Sequence, residues 1–285
     1  MVDAAKSLGF SDEAEARDRC QLQFLAQLMR QGVARFVLKG GMAMRALYGS
    51  ARLTKDIDFD CEPSVSPQSM KAQMPKALEQ AARSAGLVGI RVTQTKAEDL
   101  ASKWRLDTHL KGERPMSFDV EVSRRGVAGD GYVTTKTVQA PYEYRISPFV
   151  VRVYTPDAMA AGKVNALLSE NRSVPRDIYD LYDLVRQGVD PTSLWIAQLP
   201  QEVLRRKRDV VWAKVDGIKF DQAFDELLPY IPPSLRESID ESRWDSMRAD
   251  VAAHVDKWLE AAIARARPAQ EMGRDPRSDA DLAGR

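Results

Sequence analysis

The residues best suited to chemistry lie between positions 39 and 58 of this 285-residue chain. Lys39-Gly40-Gly41 is followed by Arg52, Thr54, Asp56 and Asp58. Two aspartates at i and i+2 on a strand project their carboxylates to one face. Like charges that close repel unless a cation sits between them. Hard oxygen ligands suit Mg²⁺, which keeps substrate phosphates among its remaining ligands. A glycine pair lets backbone approach a phosphate closely, and N–H groups at a helix start can cradle the anion. An anion cradle, paired carboxylates and a third carboxylate from a neighbouring strand make up a two-metal phosphoryl-transfer site. Either Glu121 or Asp119, both in MSFDVEVSRR, can supply the third. Each part has a plainer use when it stands alone. D-x-D is common on solvated strand faces, and Gly-Gly marks turns. Asp60 shares the acid face but lies near the strand end, where solvation is its simplest fate.

The surrounding pattern predicts the elements that carry these residues. Residues 11–31 read as a helix capped by Ser11, with Leu22, Leu25, Leu28 and Met29 at helical spacing. FVLKGG reads as a short strand and turn, and MAMRALYGS as a helix. In ARLTKDIDFDCEP, Ile57 and Phe59 alternate with Asp56, Asp58 and Asp60, as a strand requires. Residues 66–86 read as a helix, and IRVTQTK, KWRLDTHLK and MSFDVEVSRR as strands. After about residue 155 every segment carries a helical period. The expected fold is therefore α/β (α+β). A mixed sheet with helices over residues 1–155 precedes an all-helical domain over 156–267 that completes the cleft, then a disordered tail over 268–285.

Composition narrows the function classes. Forty-two basic and 41 acidic residues give a net charge of +1, which argues against a generally cationic nucleic-acid binder but not against a local basic patch. Cys20 and Cys61 are too few for a disulfide scaffold or a thiolate zinc site, and two histidines exclude imidazole-rich chemistry. The first residues lack the apolar core of a signal peptide, and no apolar run reaches a membrane span. A cytoplasmic protein without a membrane partner is the expectation.

FVLKGGMAMRALYGSARLTKDIDFD resembles the signature of the AbiEii/AbiGii toxin family, within the DNA polymerase β-type nucleotidyltransferase superfamily. Gly40-Gly41 and Asp56-x-Asp58 fill the superfamily pattern, and Arg52-x-Thr54-x-Asp56 is similar to the family's lead-in. Met42 stands where a small polar residue is usual. SFDVEVSRRG resembles the strand of the third acid, with Glu121 at the matching place. AGKVNALLSENRSVPRDIYDLYDL resembles the second signature, with Lys163, Arg176, Asp177 and Asp180 in its positions. The resemblance covers roughly residues 20–190 and implies an Mg²⁺-dependent nucleotidyltransferase. It would move a nucleoside monophosphate from an NTP to an acceptor, some relatives using the tRNA 3′ end, and would be paired with a separately encoded antitoxin. Asp56, Asp58 and Glu121 (or Asp119) would bind the metals. Lys39, Gly40, Gly41, Arg52, Thr54, Arg176 and Asp180 would serve the nucleotide. Lys163 would neutralise the triphosphate, and Asp177 would orient it or the acceptor.

The second signature also makes sense physically. Asp177 and Asp180 at i and i+3 share a helix face and can hold Lys163 or Arg52 in place, although acids in a first turn also simply favour the helix dipole. His109, His254 and Cys61 read as packing or surface residues, and Trp195, Trp212, Trp244 and Trp258 as helix-core residues. Arg205–Arg208 is a solvated face or an RNA-backbone contact. Two rival functions remain. One is the same chemistry on a protein or small molecule, and the other is a nucleotide-binding module without turnover.

Overall fold

The computed structural model describes residues 4–31, 35–170 and 172–266; the predicted disordered tail lies outside the described residues. Helix α1 (Asp12–Arg30) leads into β1 (Phe36–Lys39), α2 (Gly40–Leu47), β2 (Asp56–Cys61) and α3 (Pro67–Ser84). Strands β3 (Val88–Glu98), β4 (Ala101–His109), β5 (Met116–Ser123), β6 (Val133–Val138) and β7 (Phe149–Tyr154) follow. The remaining helices are α4 (Pro156–Leu167), α5 (Pro175–Arg186), α6 (Thr192–Gln198), α7 (Gln201–Asp216), α8 (Phe220–Glu226), α9 (Pro233–Arg236) and α10 (Glu241–Arg265).

The seven strands form one mixed sheet in the order β3-β4-β5-β2-β1-β7-β6. Strand β2 runs antiparallel to β1 and parallel to β5. Ile57, Phe59, Val120, Val122, Trp104 and Leu106 share one buried face, and α1 and α3 pack together over the sheet. The opposite face carries the acids. Both long helices begin as the sequence implies: Ser11 accepts a hydrogen bond from the Ala14 N–H, and Ser66 from that of Ser69. Strands β6 and β7 had no counterpart in the periodicity reading. FVVRVY, a β-branched run, was the available signal for β7.

Two compact units divide the chain, and not at a single point. The first comprises the residues up to Thr155 together with Leu227–Ile239; the second comprises Pro156–Glu226 and the segment from Asp240 onward. The first break falls after Thr155, and the later segment Leu227–Ile239 belongs to the sheet unit. The Leu53 N–H donates to Tyr230 O at 2.8 Å, Arg17 lies over the Tyr230 ring, and Tyr230 packs on Ala5, Phe10 and Leu53. The expected helix in FDQAFDELLPYI ends at Glu226, and a 3-10 turn over Leu228–Tyr230 follows.

In the helical unit α10 packs against α5, α6, α7 and α8. Trp195 meets Trp258 edge to face, and the buried Trp244 donates to Ile218 O at 3.1 Å. Trp212 departs from the expected core role, being 53% exposed on α7. Its neighbours Arg205–Arg208 do not form one open patch, because Arg208 pairs with Asp256 and Glu260 while Lys207 donates to Asn165. Among the described residues no helix is long and apolar enough to cross a membrane.

A buried ion pair ties α1 to α2. Arg45, 2% exposed, donates through Nε and Nη2 to both carboxylate oxygens of Asp18, and Tyr144 donates to Asp18 Oδ2 at 2.9 Å. Removing one member leaves an uncompensated buried charge, which costs about 3–5 kcal/mol. Arg45→Ala should therefore lower the unfolding free energy by that amount. Joint Asp18→Leu and Arg45→Met should recover most of it, as read by chemical unfolding.

Candidate active site

Asp56, Asp58 and Asp60 are half-buried and face away from the core, as their period predicts. The parallel pairing of β2 with β5 sets Asp56 beside Asp119 and Asp58 beside Glu121. On the other flank of β2, Lys39 stands opposite Asp58. Asp60 accepts from Lys39 at 2.6 Å and from the Tyr154 hydroxyl at 2.8 Å, so it is paired rather than merely solvated. Asp119 is held by Lys103 at 2.9 Å and by a two-point contact from Arg105. Burial alone would raise the Asp119 pKa, but the hydrogen bonds and charges of Arg105 and Lys103 win and hold it below the usual carboxylate value. Among the described residues, neither of these cations clasps Glu121 in the same way.

The glycine pair opens α2, and Gly40 adopts a φ of 68°, a left-handed conformation that favours glycine. A methyl group at Gly40 would collide with Asp58 Oδ2. One at Gly41 would meet Thr54 Oγ1 at 2.7 Å and Arg52 Nη2 at 2.8 Å. The buried Arg52 and Thr54 thus close on the helix start because no side chain occupies it. Arg52 also donates to Leu53 O, and the Gln21 amide of α1 holds Thr54 O at 3.2 Å. Met42 is fully buried in the core. Lys39, Gly40, Gly41, Arg52, Thr54, Asp56 and Asp58 therefore gather where β1 ends and β2 begins, with Glu121 beside Asp58 on β5. Sequence reasoning did not select Lys103, Arg105 or Gln21. KWRLDTHLK showed alternation, but no local pattern tells which acid a cross-strand cation will meet.

The second constellation forms within the helical unit. Lys163 on α4 is 3.1 Å from Asp177 Oδ1 and 2.6 Å from Asp180 Oδ2, both on α5. Arg172 Nε reaches Asp177 Oδ2 at 2.7 Å, a contact the sequence reading did not include. Arg176 lies half-buried in the same first turn of α5. Both aspartates are fully buried. Burial pushes the Asp177 pKa up, but the charge of Lys163 and the bonds from Arg172 and Lys163 outweigh it, leaving the value low. Two acids for one ammonium fix Lys163 in direction as well as charge. Cys61 is buried, and burial pushes its thiol up to about 11, which suits packing and not nucleophilic attack.

The donor chemistry of Asp56, Asp58 and Glu121, three carboxylates from adjacent strands, fits a hard divalent cation. In the present arrangement no three His, Cys, Asp or Glu side chains converge on one point among the described residues.

Gly40→Ala should cost about 1–2 kcal/mol of stability from its left-handed φ. It should also slow any phosphoryl transfer that uses Asp58 by about a hundred-fold through displacement of that carboxylate. Unfolding and turnover measured together separate the two effects. Asp177, with its lowered folded-state pKa, stabilises fully above the ordinary carboxylate range, and that stability is lost as pH falls through the depressed value. Asp177→Asn should therefore flatten the acid limb of a melting-temperature series against pH.

No curated protein matches the chain. Among solved structures, a protein of H. pylori described as a nucleotidyltransferase superposes with a TM-score of 0.56 at 18% identity, covering 88% of this chain and 98% of that one. JHP933 from Helicobacter pylori gives 0.55 at 17%, covering 88% and 95%. These likenesses speak for the fold. The family model described as nucleotidyl transferase AbiEii toxin, type IV TA system, matches residues 23–270 and so spans both constellations. With that match over most of its length, the chain belongs to the AbiEii family of nucleotidyltransferase toxins of type IV toxin–antitoxin systems.

Proposed function

We propose that the chain transfers a nucleoside monophosphate from an NTP to the 3′ end of a tRNA and releases pyrophosphate. The observation that carries this reading is the alignment of Asp58 with Glu121 in register, beside a helix start kept bare by Gly40 and Gly41. In this reading the acceptor hydroxyl attacks the α-phosphorus, the bond to the bridging oxygen breaks, and pyrophosphate leaves. Backbone N–H groups of Gly40 and Gly41 hold the β- and γ-phosphates, and Arg52 and Thr54 support that loop from below. Asp56, Asp58 and Glu121 would hold Mg²⁺. When bound, the cation neutralises phosphate charge and makes the acceptor hydroxyl easier to deprotonate. Glu121 is the third acid in preference to Asp119, whose charge is committed to Lys103 and Arg105. Lys163, aimed by Asp177 and Asp180, neutralises the triphosphate and can donate a proton to the leaving group. Arg176 lies in the same turn and adds positive charge there. Lys39 is paired with Asp60 and acts on the nucleotide only by exchanging that partner for a phosphate. A separately encoded antitoxin and a cytoplasmic site of action complete the proposal.

The test incubates the purified chain with Mg²⁺, bacterial RNA and each NTP labelled at the α-phosphorus. Label should enter a tRNA-sized band with one preferred base, and expression of the chain should arrest growth. Asp56→Ala should lose labelling at least about a hundred-fold and lose toxicity with it. Lys163→Ala should lose labelling by a similar factor. Toxicity retained by Asp56→Ala would instead support a binding module without turnover. Absence of RNA labelling despite NTP turnover would move the acceptor to a protein or small molecule.

A further inference from the structure

Two cations stand on the acid face without a place in the reaction described above. Lys103 is the register neighbour of Glu121, and Arg105 that of Asp119, both across β4 and β5. Both bind the same carboxylate, Asp119, while the charges of Asp56 and Glu121 also act on Lys103 and those of Asp107 and Asp56 on Arg105. Asp119 is almost buried, whereas the Lys103 and Arg105 side chains are 32% and 44% exposed. Both cationic side chains are therefore partly open to solvent while the carboxylate that holds them is not. Arg105 contacts Asp119 through Nε and Nη2, which leaves the Nη1 amine outside the pair, and the Lys103 ammonium has three donors. On the same face of β3, Lys96 stands opposite Lys103 and pairs with Glu98, and Arg91 stands opposite Asp107 and pairs with it.

The strand order gives this cluster a direction. From one flank to the other the face presents β4 with its cations, β5 with Glu121, β2 with Asp56 and Asp58, and β1 leading to the Gly40-Gly41 helix start. Phosphoryl transfer places the entering and leaving oxygens roughly in line on opposite sides of the phosphorus. With pyrophosphate held at the glycine pair, the entering hydroxyl comes from the β4 flank. Neighbouring strands lie about 4.8 Å apart, so the Lys103–Arg105 pair stands roughly two strand spacings from the aspartates. A polynucleotide brings backbone phosphates with its terminal hydroxyl, and those phosphates suit an ammonium and a guanidinium.

We propose that Lys103 and Arg105, braced by Asp119, form the docking site for backbone phosphates of a single-stranded polynucleotide acceptor. The inference rests on nucleotidyl transfer to a polynucleotide being the reaction, and it assigns the residues that dock that acceptor's backbone. Asp119 then serves to position the two cations and ligates no metal.

The test measures binding of a short single-stranded RNA with a free 3′ hydroxyl, and of its DNA counterpart, by fluorescence anisotropy across a salt series. NTP affinity is measured in parallel by calorimetry. Removing the cations alone would strand the buried Asp119 charge, so the deletion variant combines Lys103→Gln, Arg105→Gln and Asp119→Asn. RNA affinity should fall at least about ten-fold, and the slope of log affinity against log salt should shrink by about 1.4, or ~0.7 for each phosphate that is no longer neutralised. NTP affinity should stay at the wild-type value. Equal loss for RNA and DNA assigns the site to the shared backbone, and loss for RNA alone assigns it to an RNA strand. Unchanged RNA affinity and slope in a triple variant that binds NTP normally would overturn the proposal. A wild-type chain that binds no polynucleotide at low salt would do the same. A wild-type chain that binds RNA through these residues yet labels no acceptor would leave the docking site standing and overturn the transfer reading.

Discussion

Everything at the sheet face answers one electrostatic demand, that several carboxylates stand side by side without pushing the strands apart. The parallel pairing of β2 with β5 creates the difficulty, because its register sets Asp56 against Asp119 and Asp58 against Glu121. Like charges directly opposite on a sheet destabilise it. The fold meets the demand from both flanks. Lys39 on β1 takes Asp60, and Lys103 and Arg105 on β4 take Asp119. Asp56, Asp58 and Glu121 are the acids we propose as ligands of a divalent cation. The same logic explains why the apolar side must be so well filled. A face held together by balanced charge is anchored by Phe59, Val120, Trp104 and Leu106 on its reverse.

The helical unit inverts the ratio. There one ammonium meets two buried aspartates, and an arginine completes the balance on Asp177. A lysine on a long flexible stem is ordinarily a poor positioning device. Held between acids one helical turn apart on α5, Lys163 acquires the directional precision that a guanidinium has by its own shape. In both units, then, a buried carboxylate orients a cation.

Much of this was legible in the residues themselves, and the boundary of what was legible has a physical cause. The acid face followed from period 2 in DIDFD, because alternation fixes side-chain direction without any partner. The helices around Lys163 and Asp177 followed from their spacing, and i and i+3 placed Asp177 and Asp180 on one face. What escaped depends on pairing between distant segments. The choice between Glu121 and Asp119 could not be made from β5 alone, since it turns on the cations of β4. The buried partnership of Asp18 with Arg45 spans 27 positions and leaves no local trace. Trp212 misled because a tryptophan on an amphipathic helix reads as core, whereas α7 turns it outward.

The return of Leu227–Ile239 to the sheet unit has a consequence for synthesis. Domains generally fold as units in the order in which they leave the ribosome. Here the unit that carries Asp56 and Asp58 lacks its Tyr230 contact to Leu53 until most of the helical unit has been made. The sheet unit is therefore completed only at Ile239, although most of it is translated first. A nascent or truncated chain ending near Thr155 holds every acid of the sheet face and still lacks a piece of its own unit.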